Sequence, residues 1–144
     1  MIFGIGADVV ELARIRAAFE RHGERFAQRI LGPRELATYA ARARRSPQRG
    51  VAYLATRFAA KEAISKALGL GMRLPMTWRA AQIVNAPSGR PEVVTSGELS
   101  AFVARHRLRL HVTVSDLDTL AIAHAVAEVA DEAGERPHSA TTES

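Results

Sequence analysis

The sequence predicts a mixed α and β fold, and three observations carry that expectation. A segment from about Val51 to Leu68 is built from Ala, Leu, Glu and Lys, repeats its apolar residues at helical spacing, and meets Gly69 where a left-handed C-terminal cap belongs. Met1–Val10, Arg107–Ser115 and the run 120–129 instead alternate residue by residue, the signature of strands. Between 80 and 95, two short runs flank PSGR, which reads as a hairpin turn. The 144 residues suit one domain with a core of ordinary size. We expect that domain over 1–130 and a flexible polar tail over 131–144.

In the opening strand, Phe3, Ile5, Ala7 and Val9 point one way, and Gly4, Gly6 and Asp8 the other. Two glycines on one strand face mark a place where a backbone or a ligand comes close. GIGADV lacks the third glycine of a dinucleotide fingerprint. Glu11–Arg21 is an amphipathic helix with Leu12, Ile15 and Phe19 inward, stopped near Gly23. A short helix follows over Glu24–Leu31, and Pro33 opens another through about Ala43. RRSPQRG, residues 44–50, reads as an exposed loop before the long helix. Ser96 is expected to cap a helix over Gly97–His106. In the next strand Leu108, Leu110, Val112 and Val114 pack inward, while Arg109, His111, Thr113 and Ser115 share the other face. Ala121, Ala123, Ala125 and Ala127 form a small-residue face on the last strand, suited to a closely packed helix.

The chain has no cysteine, which excludes disulfides, thiolate metal sites and a cysteine nucleophile. No apolar run approaches the length of a membrane span and no secretory leader is visible, so a cytoplasmic protein without a membrane partner is expected. A net charge of +5 favours an anionic partner: nucleic acid, a phosphorylated cofactor or an acidic protein. Aromatic residues make up only 6% and do not interleave with the basic runs, which weakens the case for single-stranded nucleic acid. The arginines cluster at 14, 16, 21, 25 and 29 and again at 42, 44, 45 and 49, where a merely solvated face is the plain alternative.

Of the 20 Lys and Arg residues only Lys61 and Lys66 are lysine, and both lie in RFAAKEAISKALG. A compact ammonium that can release a proton is something guanidinium does not offer. Glu62 falls on the apolar arc of this helix and Lys66 lies one turn on, which is either a functional placement or an ordinary i, i+4 pair. Asp8 is either a site carboxylate or a helix cap, and His111 either a site imidazole or a hydrogen-bonded sheet residue. Two carboxylates brought together would bind a hard divalent cation such as magnesium and leave positions open for phosphate oxygens. Phosphoryl transfer is the chemistry such a set suits best, because it requires charge neutralisation and alignment.

GIGADVVELARI, followed by RFAAKEAISKALG and later HVTVS, resembles the holo-acyl-carrier-protein synthases, the short trimeric class of 4′-phosphopantetheinyl transferases, over about Met1–Glu128. The resemblance implies an α+β fold, a small antiparallel sheet packed on helices, with three chains sharing sites at their interfaces. It implies transfer of phosphopantetheine from coenzyme A to a serine of apo acyl carrier protein, releasing adenosine 3′,5′-bisphosphate. By that resemblance Asp8 and Glu62 hold magnesium, Lys66 stabilises or protonates the departing phosphate, and Glu62 is the base that activates the carrier serine. Arg57, Lys61, Lys66, Gly69, Gly89, Arg90, Pro91, His111 and Thr113 fall on coenzyme A contacts, and Arg14, Arg21, Arg25 and Arg29 on the surface that meets the acidic carrier. The positive charge then serves docking and not nucleic-acid binding. Many members carry histidine after the serine of the HVTVS stretch, where this chain has Asp116. A basic RNA- or DNA-binding module and a non-catalytic coenzyme A binder are the competing readings.

Overall fold

A computed structural model describes residues 1–131, so the tail expected over 131–144 lies, apart from Asp131, outside the described residues. Strand β1 (Ile2–Glu11) leads into helices α1 (Leu12–His22), α2 (Glu24–Ile30), α3 (Pro33–Arg45) and α4 (Pro47–Leu68). The hairpin β2 (Ala81–Asn85) and β3 (Pro91–Thr95), helix α5 (Gly97–Arg105), and strands β4 (Leu108–Asp116) and β5 (Leu120–Val129) complete the order. The strands form two antiparallel sheets, one of three strands in the order β1-β5-β4 and one made by the hairpin. None of these helices is long and apolar enough to cross a membrane.

Helix α4 is the axis of the core, because it is buried on nearly every side instead of along one arc. One side lies on the inner face of the three-stranded sheet, where Ala121, Ala123, Ala125 and Ala127 are all buried. The glycines of β1 face the same helix. A Cβ on Gly4 would sit 2.0 Å from the Ala67 carbonyl oxygen, and one on Gly6 equally close to that of Ala63. The close approach expected at these glycines is therefore the helix backbone.

Three local expectations change. The loop expected over 44–50 is reduced to Ser46, whose hydroxyl accepts from the Arg49 N–H at 3.3 Å while Pro47 occupies the first helical turn, so α4 starts four residues before Val51. Asp8 caps no helix, since it lies within β1 and α1 begins after Glu11. Ser96 stands at the start of α5 but makes no side-chain cap bond.

Candidate active site

On α4 the turn-by-turn spacing places Phe58, Glu62 and Lys66 along one strip that stays open, while the other residues from Tyr53 to Leu68 are buried. Glu62 thus lies at the edge of the packing and not within it. The register of β1 brings Asp8 alongside: the Lys66 Nζ donates to the Ala7 carbonyl at 2.9 Å and to Asp8 Oδ1 at 3.3 Å. The ammonium is half exposed and the Asp8 carboxylate mostly covered, 52% against 19%. Burial pushes the Glu62 carboxyl above its ordinary value; the Asp8 charge pushes the same way, and Lys66 and Arg14 oppose it. Asp8, Glu62, Lys66 and Arg14 thus share one electrostatic neighbourhood where β1, α1 and α4 meet.

Asp8 and Glu62 supply hard oxygen donors whose mutual repulsion a divalent cation would relieve, which fits magnesium. Among the described residues no cluster of three or more His, Asp or Glu side chains could hold a metal, so the remaining ligands would be substrate oxygens and water. Arg14, Arg21, Arg25 and Arg29 are all exposed, on α1 and α2, and this basic face begins beside Glu62. Gly69 caps α4 in the left-handed conformation, φ 72°, three residues beyond Lys66.

The other expected contacts lie apart from this cluster. A cleft of about 650 Å³ is lined by Arg42, Arg45, Arg49 and Arg57 together with Gly89 and Pro91 of the hairpin turn. Its basic wall grows from the C-terminal turn of α3 and the first turns of α4, so the arginine-rich stretch read as a loop is a helical rim. Arg57 is buried, lies 4.3 Å over the Tyr53 ring, and donates from Nε to the Ile83 carbonyl at 3.3 Å. Asp116 shares this cleft. A second cleft, also about 650 Å³, brings Arg90 and Pro91 together with His111, Thr113 and His124. His111 Nε2 lies 2.9 Å from Glu128 Oε2, a contact that lowers the Glu128 carboxyl, and Thr113 lies opposite His124. His111 and Thr113 occupy the outer face of the sheet, opposite the face that packs on α4.

Lys61 does not reach either cleft. It is fully buried, and its ammonium donates at 2.7 Å to Glu35 Oε1, to the Trp78 carbonyl and to the Ala81 carbonyl. Those are all the donors an ammonium has, so the expected phosphate contact is replaced by an internal one. Burial lowers the Lys61 pKa and the Glu35 charge opposes that. Glu35, equally buried, also accepts from the Gly32 and Ile83 N–H groups. Sequence reasoning missed Glu35. Its visible signal was a Glu at the third position of a helix opened by Pro33, which predicts a capping carboxylate but not burial.

The model of the 4′-phosphopantetheinyl transferase superfamily matches residues 4–125. The chain belongs to this family. A holo-acyl-carrier-protein synthase of Cupriavidus necator is 53% identical over 137 residues, covering 95% of this chain and 98% of that protein. The crystal structure of the synthase from Neisseria meningitidis superposes with a TM-score of 0.80 at 39% identity, over 89% of this chain and 99% of the other. The synthase from Bacillus anthracis, solved in complex with CoA (3′,5′-ADP), superposes with a TM-score of 0.75 at 31% identity, over 90% and 99% of the two chains. Within the transferase superfamily the chain groups with the holo-acyl-carrier-protein synthases, with the α+β architecture of those structures.

Proposed function

We propose that this chain moves the 4′-phosphopantetheine of coenzyme A onto a serine of an apo acyl carrier protein in the cytoplasm, with magnesium held by Asp8 and Glu62. The observation that carries the reading is the convergence of two carboxylates and a half-exposed ammonium at the start of a basic surface. The relatives' names and the CoA-bound Bacillus anthracis structure support the substrate class.

The serine oxygen attacks the phosphorus that bears pantetheine, its bond to the bridging oxygen breaks, and adenosine 3′,5′-bisphosphate departs. When bound, magnesium would neutralise the diphosphate oxygens and so favour the departure. Glu62, at the edge of the site beside Asp8 and Lys66, takes the serine proton. Lys66 is held towards Asp8 with its Nζ accessible, and it supplies a proton to the leaving oxygen. Arg42, Arg45, Arg49 and Arg57 offer forked donors for the coenzyme's phosphates. Arg14, Arg21, Arg25 and Arg29 dock the acidic carrier next to the site.

The same reading includes a homotrimer. The outer face of the three-stranded sheet leaves Ile5 72% and Val9 57% exposed, which favours cover by another copy. It also carries His111 and Thr113 away from Asp8, so a second copy that sets its Lys66 edge against this face would unite the two sets.

Incubating the protein with coenzyme A, magnesium and an apo carrier tests the proposal by mass spectrometry. The carrier should gain the mass of phosphopantetheine. No gain with several carriers, beside tight and salt-sensitive RNA binding, would overturn it in favour of a nucleic-acid module.

A further inference from the structure

Lys61 and Glu35 form a fully buried ion pair in the core, and none of the proposed steps touches it. Both side chains are fully buried, and every donor and acceptor they present is matched. A buried pair of this kind often contributes no more stability than apolar residues of the same volume, so its presence asks for another reason. What the pair does geometrically is specific. Lys61 ties α4 to α3 through Glu35, to the 3-10 turn at Trp78–Ala80 through the Trp78 carbonyl, and to the start of β2 through the Ala81 carbonyl. Glu35 Oε2 then accepts from the Ile83 N–H at 3.0 Å.

Ile83 links this core pair to the arginine cleft. Its N–H is held by Glu35, and its carbonyl, on the same residue, accepts from Arg57 Nε at 3.3 Å. The strand that contains it runs two residues further to Asn85, which lines the cleft, and pairs with β3, whose first residue Pro91 also lines it. Two of the cleft's walls, the Arg57 guanidinium and the hairpin end, are therefore set by one residue whose position the buried pair fixes. A polar network with every member matched holds one geometry where an apolar contact would permit sliding.

We propose that Lys61 and Glu35 act together as positioning residues for the phosphate-binding cleft: through Ile83 they aim Arg57 and seat the β2–β3 hairpin, without touching the ligand. The inference rests on the reading of that cleft as the coenzyme A site and assigns Lys61 a role other than phosphate contact. It differs from a plain stability role, because the pair reaches the cleft by a named path.

The test is a double-mutant cycle with Glu35→Gln, Lys61→Met and the two combined, assayed on folded protein well below each variant's thermal midpoint. Each single change should raise the KM for coenzyme A about tenfold, the scale of losing alignment of one charged hydrogen bond, while the KM for carrier protein stays within about twofold. The combined variant should be no worse than the weaker single, because both act through Ile83. If Lys61→Met alone weakened coenzyme A binding and Glu35→Gln did not, a direct lysine contact would replace the proposal. If both lowered the thermal midpoint and left the KM for coenzyme A unchanged, the pair would be structural only. Glu35→Gln keeps the lysine and the side-chain shape, so it is the variant to use if Lys61→Met does not fold. Should the parent chain transfer nothing to any carrier, the functional reading fails separately. The positioning role is then judged by amide hydrogen exchange at Ile83 and Val84, which should quicken in both single variants; unchanged exchange overturns it.

Discussion

Lys61 and Lys66 stand five residues apart on one helix and share nothing but their chemistry. Lys61 faces the closed side of α4, with no exposed surface and three oxygen acceptors at 2.7 Å. Lys66 lies at the open edge, 52% exposed, with one carbonyl and one carboxylate as partners. The contrast explains why a chain that otherwise writes positive charge as arginine keeps lysine twice. A planar guanidinium cannot converge on three acceptors around one point, and it cannot give up a proton. The first property serves architecture, and the second is what the proton transfer proposed for Lys66 would use.

The largest effect that would test this division is at the open edge. Lys66→Arg keeps the charge, and it should lower kcat about a hundredfold, the scale of lost general-acid assistance, with no change in thermal midpoint. Turnover measured by carrier mass gain checks it; a rate close to the parent's would mean that no proton passes at this residue. The closed side should behave in the opposite manner. Gly4→Ala pushes a methyl group into the Ala67 carbonyl, and urea unfolding should show a loss of about 1–3 kcal/mol, as in other overpacked cores. If Gly4→Ala is as stable as the parent, β1 and α4 are free to separate and the closed side is not closed.

The elements were legible because their periods are clean. Alternation located β1, β4 and β5 to within a residue or two, and the all-alanine face of β5 announced the helix that lies on it. The site was legible in part. Helical spacing puts Glu62 and Lys66 one turn apart without deciding between a site and an ordinary pair, and Asp8 faces Lys66 because β1 is a strand whose Gly4, Gly6 and Asp8 side turns to α4. Lys61 was misplaced because a helix read by itself has one core side, whereas α4 has helices on one flank and a sheet on the other. Burial of its whole circumference is a tertiary fact. The partner Glu35 lies 26 residues away, and nothing local announces a contact of that range. The helical rim at Arg45 and Arg49 was hidden for a smaller reason: Ser46 and Pro47 are turn formers and helix starters alike, and here they start a helix.

The smallest expected effect separates the two sides most finely, because it concerns stability at the open edge. Folding raises the Glu62 carboxyl above its ordinary 4.5, first by burial and then by the Asp8 charge. The folded state therefore holds this proton more tightly than the unfolded state. Stability contributed by the protonated form is present below pH 4.5 and is lost as pH rises through the folded value, so at neutral pH the ionised group opposes folding. With a chelator present, Glu62→Gln should unfold at a slightly higher temperature than the parent at pH 7, and the gap should close as both are brought below pH 4.5. Calorimetry at the two pH values measures it. A variant less stable at pH 7 would mean that Lys66 and Arg14 attract Glu62 by more than burial and Asp8 oppose it. The open edge would then be another structural pairing, and the distinction between the two lysines would lose its chemical half.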